Sequence, residues 1–535
     1  MGSRLGELNV NKTIVGSRSM VVSPHYLASQ AGNTILERGG NAFDAAVAVS
    51  ACLAVVYPHM TGLGGDSFWV TYSKSEEKVK VYNGSGRAGI NLTREVYEGQ
   101  EAIPTRGIES AITVPGMVDS WDAVLKEYGK LSLEEVLQPA IDYAEYGFPL
   151  SPDQHENTVK RADMLKEDGD MARIFLPDQQ IPKRYQRFIQ TDLSCTLKKL
   201  AKNGRDDFYK GKLAERIVSS LKDKGSRLTL DDFSNHYGEW IDPITTSYRG
   251  YDVYQAPPNS QGFVGLMALN ILENFDFSLI EEGSYRYYHV LVEALKRSFQ
   301  DRNKHLTDPL FYDIPLDRLI SKSYGKELAE GIQFDRVGEI ETESVGRDTA
   351  HAAVFDEEGN AVSFIQSLYF EFGSGIVAGD SGIIMQNRGS FFSLDPSHVN
   401  CLEPEKRSFH TLMPAMALKD RRPRILYGTQ GGEGQPQTQT AILTRMIDYG
   451  MDPQSAISAP RFVWGRTWGK QTQELKIEGR VSLNVLEQLS KAGHIVNKVE
   501  DFDGIMGHAN AILIDDQGFV HGGVDPRSDG AAVGR

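Results

Sequence analysis

The stretch whose reading decides the fold is Arg347–Ser367, RDTAHAAVFDEEGNAVSFIQS. It reads as a β-hairpin, with one strand over Thr349–Phe355, an acidic turn at 356–360 and a second strand over Ala361–Ser367. Val354, Phe355, Val362, Phe364 and Ile365 are strand formers, while Asp356, Gly359 and Asn360 suit a turn. The residues just before it, EIETESVGRD at 339–348, include Glu339, Glu341, Glu343 and Asp348 and offer almost nothing to bury. An exposed tether therefore runs straight into a strand that begins with a threonine. Such a tether lets a backbone bond be strained and cut.

Around this hairpin the whole chain is that of a large globular protein. Its 535 residues suggest three or four domains on length alone, and 40% hydrophobic with 24% charged residues provides ample core. The formal charge of −15, with no Lys/Arg-rich run, argues against nucleic acid and anionic membrane surfaces as partners. No stretch approaches the ~20 apolar residues of a membrane span. The first twenty residues hold no apolar signal core, and Gly6 stands where a myristoylation motif wants Ser or Thr. Cys52, Cys195 and Cys401 are too few and too scattered for a disulfide framework or a zinc knuckle. The expectation is a soluble cytoplasmic protein.

Helices dominate the first two-thirds in this reading. Asn41–Pro58 is Ala/Val-rich, opens on a capping Asn, ends at Pro58 and is apolar on nearly every face, so it predicts a buried helix. Ser284–Asn303 places Tyr288, Leu291, Leu295 and Phe299 at helical spacing. After Asp348 the pattern changes to short strands and glycine-rich turns, as in the hairpins predicted at Met416–Gly428 and Asn510–Gly523.

Several short motifs fail on context. GDSG at Gly379–Gly382 and TAHAA at Thr349–Ala353 echo parts of trypsin-like proteases, but those enzymes hold His and Ser far apart in two barrels. The glycine-rich GLGGDSF (Gly62–Phe68) and GTQGGEG (Gly428–Gly434) lack the strand, spacing and acid of a dinucleotide fold. No His pair has metal-ligand spacing, so no metal and no cofactor is expected.

The threonine has better support. Ser367 closes the second strand, where its hydroxyl would face Thr349 across the pair. Gly431 and Gly432 precede a helix predicted to run to about Tyr449, and two successive glycine amides at a helix N-terminus suit a developing oxyanion.

GGNAFDAAVAV, GLGGDSF, TVPGMVDSWDAVLKEYG, YRGYDVYQAPPNSQG, DTAHAAVFDEEGNAVSF, FGSGIVAGDSGI, TQGGEGQ and the terminal DPRSDGAA occur in that order along nearly the whole chain. In this the sequence resembles the γ-glutamyltranspeptidase family of N-terminal-nucleophile hydrolases. The resemblance implies an α+β fold, the four-layer αββα sandwich. It also implies autocleavage at Asp348–Thr349, leaving a large segment 1–348 and a small segment 349–535 as an αβ heterodimer sharing one domain. Whether that unit pairs further stays open. In this family Thr349 would be nucleophile and, through its freed α-amine, general base; Ser367 would orient it, and Gly431 and Gly432 would hold the oxyanion. An N-terminal amine titrates near 7.7–8.0, which suits a base near neutral pH.

The glutamate-binding positions depart from the family pattern. Its carboxylate-binding arginine falls at Asn83, four residues before Arg87, and the asparagine after the orienting hydroxyl is Tyr369. The amine-holding glutamine and aspartate fall at Arg388 and Phe391, and the serine pair at His410 and Thr411. A glutamyl ammonium would meet the like charge of Arg388, at a cost of several kcal/mol. These substitutions resemble the branch of cephalosporin-acylase-like and oxamate-amidohydrolase-like proteins. Arg388 and Arg87 are candidates for a forked contact with a substrate carboxylate, Tyr369 and Phe391 for an apolar wall, and His410 for a polar contact to the acyl group. The expected activity is hydrolysis of a small acyl-amide. A glutathione-type γ-glutamyl hydrolase or transpeptidase, and an unprocessed silent relative, are the alternatives.

Overall fold

The computed structural model describes residues 12–338, 349–465 and 472–535. Two seven-stranded sheets carry the structure. In chain order their strands are β1 (Ile14–Gly16), β2 (Met20–Ser23), β3 (Asp66–Ser73), β4 (Lys78–Gly84), β5 (Glu239–Ile241), β6 (Ile244–Tyr248) and β7 (Tyr251–Gln255). They continue with β8 (Ala350–Phe355), β9 (Ala361–Ser367), β10 (Ala415–Lys419), β11 (Arg422–Thr429), β12 (Ala509–Ile514), β13 (Val520–Val524) and β14 (Ala531–Gly534). The first sheet runs β1-β13-β12-β11-β10-β7-β6 and the second β14-β2-β8-β9-β3-β4-β5. Each sheet takes strands from both sides of residue 348.

The hairpin expected from the opening stretch is β8–β9, with Ala350 opposite Gln366 and Phe355 opposite Ala361. Its acidic turn also serves a helix. Asp356 accepts the Ala42 N–H at 2.8 Å and so satisfies a donor at the start of α1 (Ala42–Val56). Asn41 and Asp44 complete a capping box there, and every residue of α1 is buried, as its all-round apolar sequence requires.

Strand alternation divides the apolar side chains among three cores. Ala350, Ala352, Val354 and Phe364 join α1 and the other N-terminal helices. Phe68, Val70, Val81, Ala353 and Ile365 meet Met416, Leu426 and Ile512 of the other sheet. Ala415, Ala417, Ile425 and Ala511 pack under α2 (Gly262–Leu272), α3 (Tyr285–His305) and α4 (Gly434–Ile447). Helix, sheet, sheet, helix is the four-layer αββα sandwich, an α+β fold.

The expectation of a mainly helical first two-thirds missed β3 and β4. All eight residues of β3 are buried. A strand covered on both faces loses the apolar–polar alternation by which strands are read. Among the described residues no helix is long and apolar enough to cross a membrane.

Candidate active site

The site is built at one end of the second sheet. Continuing the β8–β9 register by one residue sets Thr349 opposite Ser367, and Ser367 is itself opposite Asp66 at the head of β3. Side chains alternate along a strand, so Thr349, Ser367 and Asp66 share a face with Ile365 and Phe68, which point between the sheets. The three form one buried row across adjacent strands. Thr349 Oγ1 has no hydrogen-bond partner among the described residues. Ser367 Oγ accepts the Tyr369 N–H at 2.7 Å. Asp348, the other side of the expected scissile bond, lies outside the described residues.

The glycines of GLGGDSF hold this end of the sheet together. A Cβ on Gly65 would stand 2.2 Å from the Ser367 carbonyl oxygen, and one on Gly64 would stand 2.0 Å from that of Ile384. Only glycine allows such an approach. It lays the Gly62–Gly65 turn directly against the backbone of Ser367.

Gly431 and Gly432 follow β11 and precede α4. Their φ angles, 122° and 50°, lie on the left-handed side that glycine adopts without strain. Their carbonyls are pinned: Gly434 N–H donates to Gly431, while Gln435 N–H and Gln261 Nε2 donate to Gly432. Neither glycine N–H donates within the described hydrogen bonds, and both lie just before the helix N-terminus. Gln261 also binds the Thr411 carbonyl at 2.9 Å and accepts from Arg302, whose guanidinium pairs with buried Glu433 just before α4.

Arg388 is the unusual group. It is 1% exposed, and none of Nε, Nη1 and Nη2 has a hydrogen-bond partner among the described residues. Its guanidinium sits 4.2 Å from the Tyr369 ring centre and 4.8 Å from that of Phe391, and those two rings stack at 4.1 Å. Burial pushes Arg388 down to about 10, opposed by Tyr369 and Asp66. It remains a cation at neutral pH, held by ring faces in place of an anion. Tyr369 has a φ of 83°, a backbone conformation costly for a non-glycine residue.

Asp66 anchors the row from below. Its Oδ1 accepts from the Gly86 and Gly116 N–H groups, each at 3.1 Å, and from Gln386 Nε2 at 2.9 Å, while Oδ2 faces His410 Nε2 at 3.3 Å. His410 Nδ1 accepts the Leu412 N–H, which leaves the proton on Nε2 toward Asp66. Burial and the nearby Arg388 push His410 down to about 4, so it is a neutral donor at pH 7. Thr411 Oγ1 is buried and without a partner among the described residues.

The remaining candidates are engaged elsewhere. Asn83 donates to Asn259 Oδ1 and accepts from the Ser85 N–H and hydroxyl. Arg87 pairs with Glu239 at 3.0 Å and lies over Tyr237 at 4.3 Å, so its charge already has an anion. The structure thus gathers Thr349, Ser367, Arg388, Tyr369, Phe391 and His410 about one end of the sheets and gives Arg87 a separate role. Asp66, Gln261 and Gln386 escaped the sequence reading. A lone acid inside the glycine-rich GLGGDSF, where a buried charge needs several donors, was the available signal for Asp66.

An αββα sandwich whose candidate nucleophile heads a central strand is the architecture of an N-terminal-nucleophile amide hydrolase, and this chain is of that class. It belongs to the γ-glutamyltranspeptidase family, whose model matches residues 28–535. The chain is 64% identical over 525 residues to the glutathione hydrolase-like YwrD proenzyme of Bacillus subtilis, covering 98% of this chain and 100% of that protein. It is 40% identical over 525 residues to the oxamate amidohydrolase proenzyme of Klebsiella pneumoniae, covering 97% and 99%. Among solved structures, cephalosporin acylase from Bacillus halodurans superposes with a TM-score of 0.92 at 34% identity, over 100% of this chain and 98% of that one.

Proposed function

We propose that the chain cuts itself between Asp348 and Thr349 and then hydrolyses small amides whose acyl part carries a carboxylate. In this reading segments 1–348 and 349–535 remain one αβ domain. The freed Thr349 amine takes the proton from Oγ1, Oγ1 attacks the amide carbon, and Gly431 and Gly432 N–H groups receive the oxyanion. Each such donor is typically worth ~3–4 kcal/mol of barrier. The amine leaves, and water releases the acyl group from Thr349.

The observation that carries the substrate class is the buried guanidinium of Arg388, which has no hydrogen-bond partner among the described residues. A carboxylate accepting two of its N–H groups would supply the missing anion in forked geometry. Thr411 Oγ1 is the further polar contact in this reading, Tyr369 with Phe391 forms the wall, and His410 stays committed to Asp66. A half-amide with a carboxylate close to the scissile carbonyl, as in the name of the Klebsiella relative, suits this charge pattern. The free thiols Cys52, Cys195 and Cys401 fit a cytoplasmic location.

A glutathione-type γ-glutamyl donor is the second reading, favoured by the name of the B. subtilis relative. The charges oppose it. A glutamyl ammonium needs an acid, and Asp66 already accepts from Gly86, Gly116, Gln386 and His410.

The test begins with intact mass and N-terminal sequencing of freshly purified and incubated protein. A small fragment beginning Thr-Ala-His-Ala is expected. The processed protein is then offered oxamate, succinamate, neutral acyl amides and a γ-glutamyl anilide. Turnover of the carboxylate-bearing amides well ahead of the neutral ones and the anilide supports the proposal. Preference for the γ-glutamyl anilide supports the second reading, and a chain that stays whole removes both.

A further inference from the structure

We infer that His508 is a positioning residue for the oxyanion loop, and that it links the loop to the first turn of a helix in the large segment. The inference rests on the role proposed above for Gly431 and Gly432. The loop begins at Gln430, whose N–H donates to the His508 carbonyl at 3.0 Å. Contact continues at the next residue. A Cβ on Gly431 would lie 3.5 Å from the Gly507 Cα, and one on Gly507 would stand 2.2 Å from the Gln430 carbonyl oxygen. Residues 507–509 therefore form a strut against which the loop rests.

The strut is held along its length. Arg461 Nη2 donates to the Gly507 carbonyl at 3.0 Å, and Asp525 Oδ2 accepts the Ala509 N–H at 2.8 Å and also pairs with Arg461. The central residue is held by its ring. His508 Nδ1 lies 2.9 Å from Tyr57 Oη, and Tyr57 Oη donates to Asp153 Oδ2 at 2.5 Å. Because the tyrosine proton goes to the carboxylate, His508 Nδ1 must be the donor to Oη. His59 Nε2 reaches the same carboxylate oxygen at 3.2 Å. Asp153 sits in the first turn of the helix Pro152–Glu167. The relay from His508 through Tyr57 to Asp153 thus crosses from the small segment to the large one. Oxyanion donors lose their effect when displaced by about 1 Å, at a cost of up to ~10²-fold in rate.

The test compares His508→Asn with His508→Gln. An asparagine amide nitrogen can occupy the place of Nδ1, whereas glutamine reaches toward the place of Nε2. The probe is 4-nitrophenyl acetate with the processed protein. Its acetyl group transfers to Thr349 Oγ1, 4-nitrophenolate leaves, and the Oγ1 proton passes to the α-amine. Rates come from nitrophenolate absorbance, and the site from the acetyl mass on the small fragment. H508Q is expected to lower the maximal acylation rate about 10–100-fold at nearly unchanged KM, and H508N to restore most of that loss. Y57F should match H508Q, and combining the two should add little. H508Q acylating like the parent, H508N as slow as H508Q, or Y57F and H508Q losses that multiply would each overturn the inference. If the parent protein itself takes no acetyl on Thr349, the catalytic reading fails and this inference falls with it.

Discussion

The candidate catalytic row at Thr349 and the proposed carboxylate pocket at Arg388 lie side by side and are built on opposite principles. Around Thr349, position comes from backbone: strand register, the Gly62–Gly65 turn against Ser367, and the pinned carbonyls of Gly431 and Gly432. Around Arg388, position comes from aromatic faces, and the charge itself has no hydrogen bond among the described residues. A row held by backbone tolerates little change without losing the chemistry. A pocket holding an unsatisfied cation gives up stability for the capacity to bind, so its substitutions should separate function from folding.

The largest effect should come from the row. Thr349→Ala is expected to leave the chain whole on a denaturing gel and to lower amide turnover by at least about 10⁴-fold. A processed and active T349A protein would refute the nucleophile assignment.

Next comes the pocket. Arg388→Met removes the cation while roughly keeping its volume. It should cut kcat/KM for carboxylate-bearing amides by about 10²–10³-fold and leave neutral acyl amides within a few-fold. The same variant should be the more stable protein, by about 1–4 kcal/mol, because an unpaired buried charge is gone. Calorimetry alongside kinetics checks both; a lower Tm would show that Arg388 is a structural group.

A third effect concerns acid. Burial lowers His25 and His351 to about 3 and His236 and His410 to about 4, from 6.5. The unfolded chain takes up these protons first as pH falls below about 6.5, so stability is present at neutral pH and lost progressively toward pH 4. A Tm that is flat across pH 6.5–4 would contradict this. The smallest effect is expected of Arg87→Ala. Its partly exposed pair with Glu239 is worth about 0.2–1 kcal/mol, and amide kinetics should stay within about two-fold.

The same contrast decides what could be read from sequence. The hairpin, the threonine at its head, Ser367 and the glycine pair depend on local pattern, and they stand where 347–367 and 428–449 placed them. The sandwich needed the family resemblance, because β3 is buried on both faces and carries no alternation. Partners of side chains were the least legible. Asn83 and Arg87 look alike available on paper, yet one is bound to Asn259 and Ser85 and the other to Glu239. Asp66 passed unnoticed because its donors come from Gly86, Gly116, Gln386 and His410, far apart in the chain.

The weaving of both sheets from either side of residue 348 has a consequence for how such a protein can be controlled. A break there severs a covalent link but exposes no separable surface, since each sheet contains strands of both segments. The halves cannot be titrated apart by dilution or exchanged between molecules without melting the core. If the bond is cut as proposed, parting the two segments offers no reversible step through which the protein could be switched off, and their association would end only by global unfolding or proteolysis.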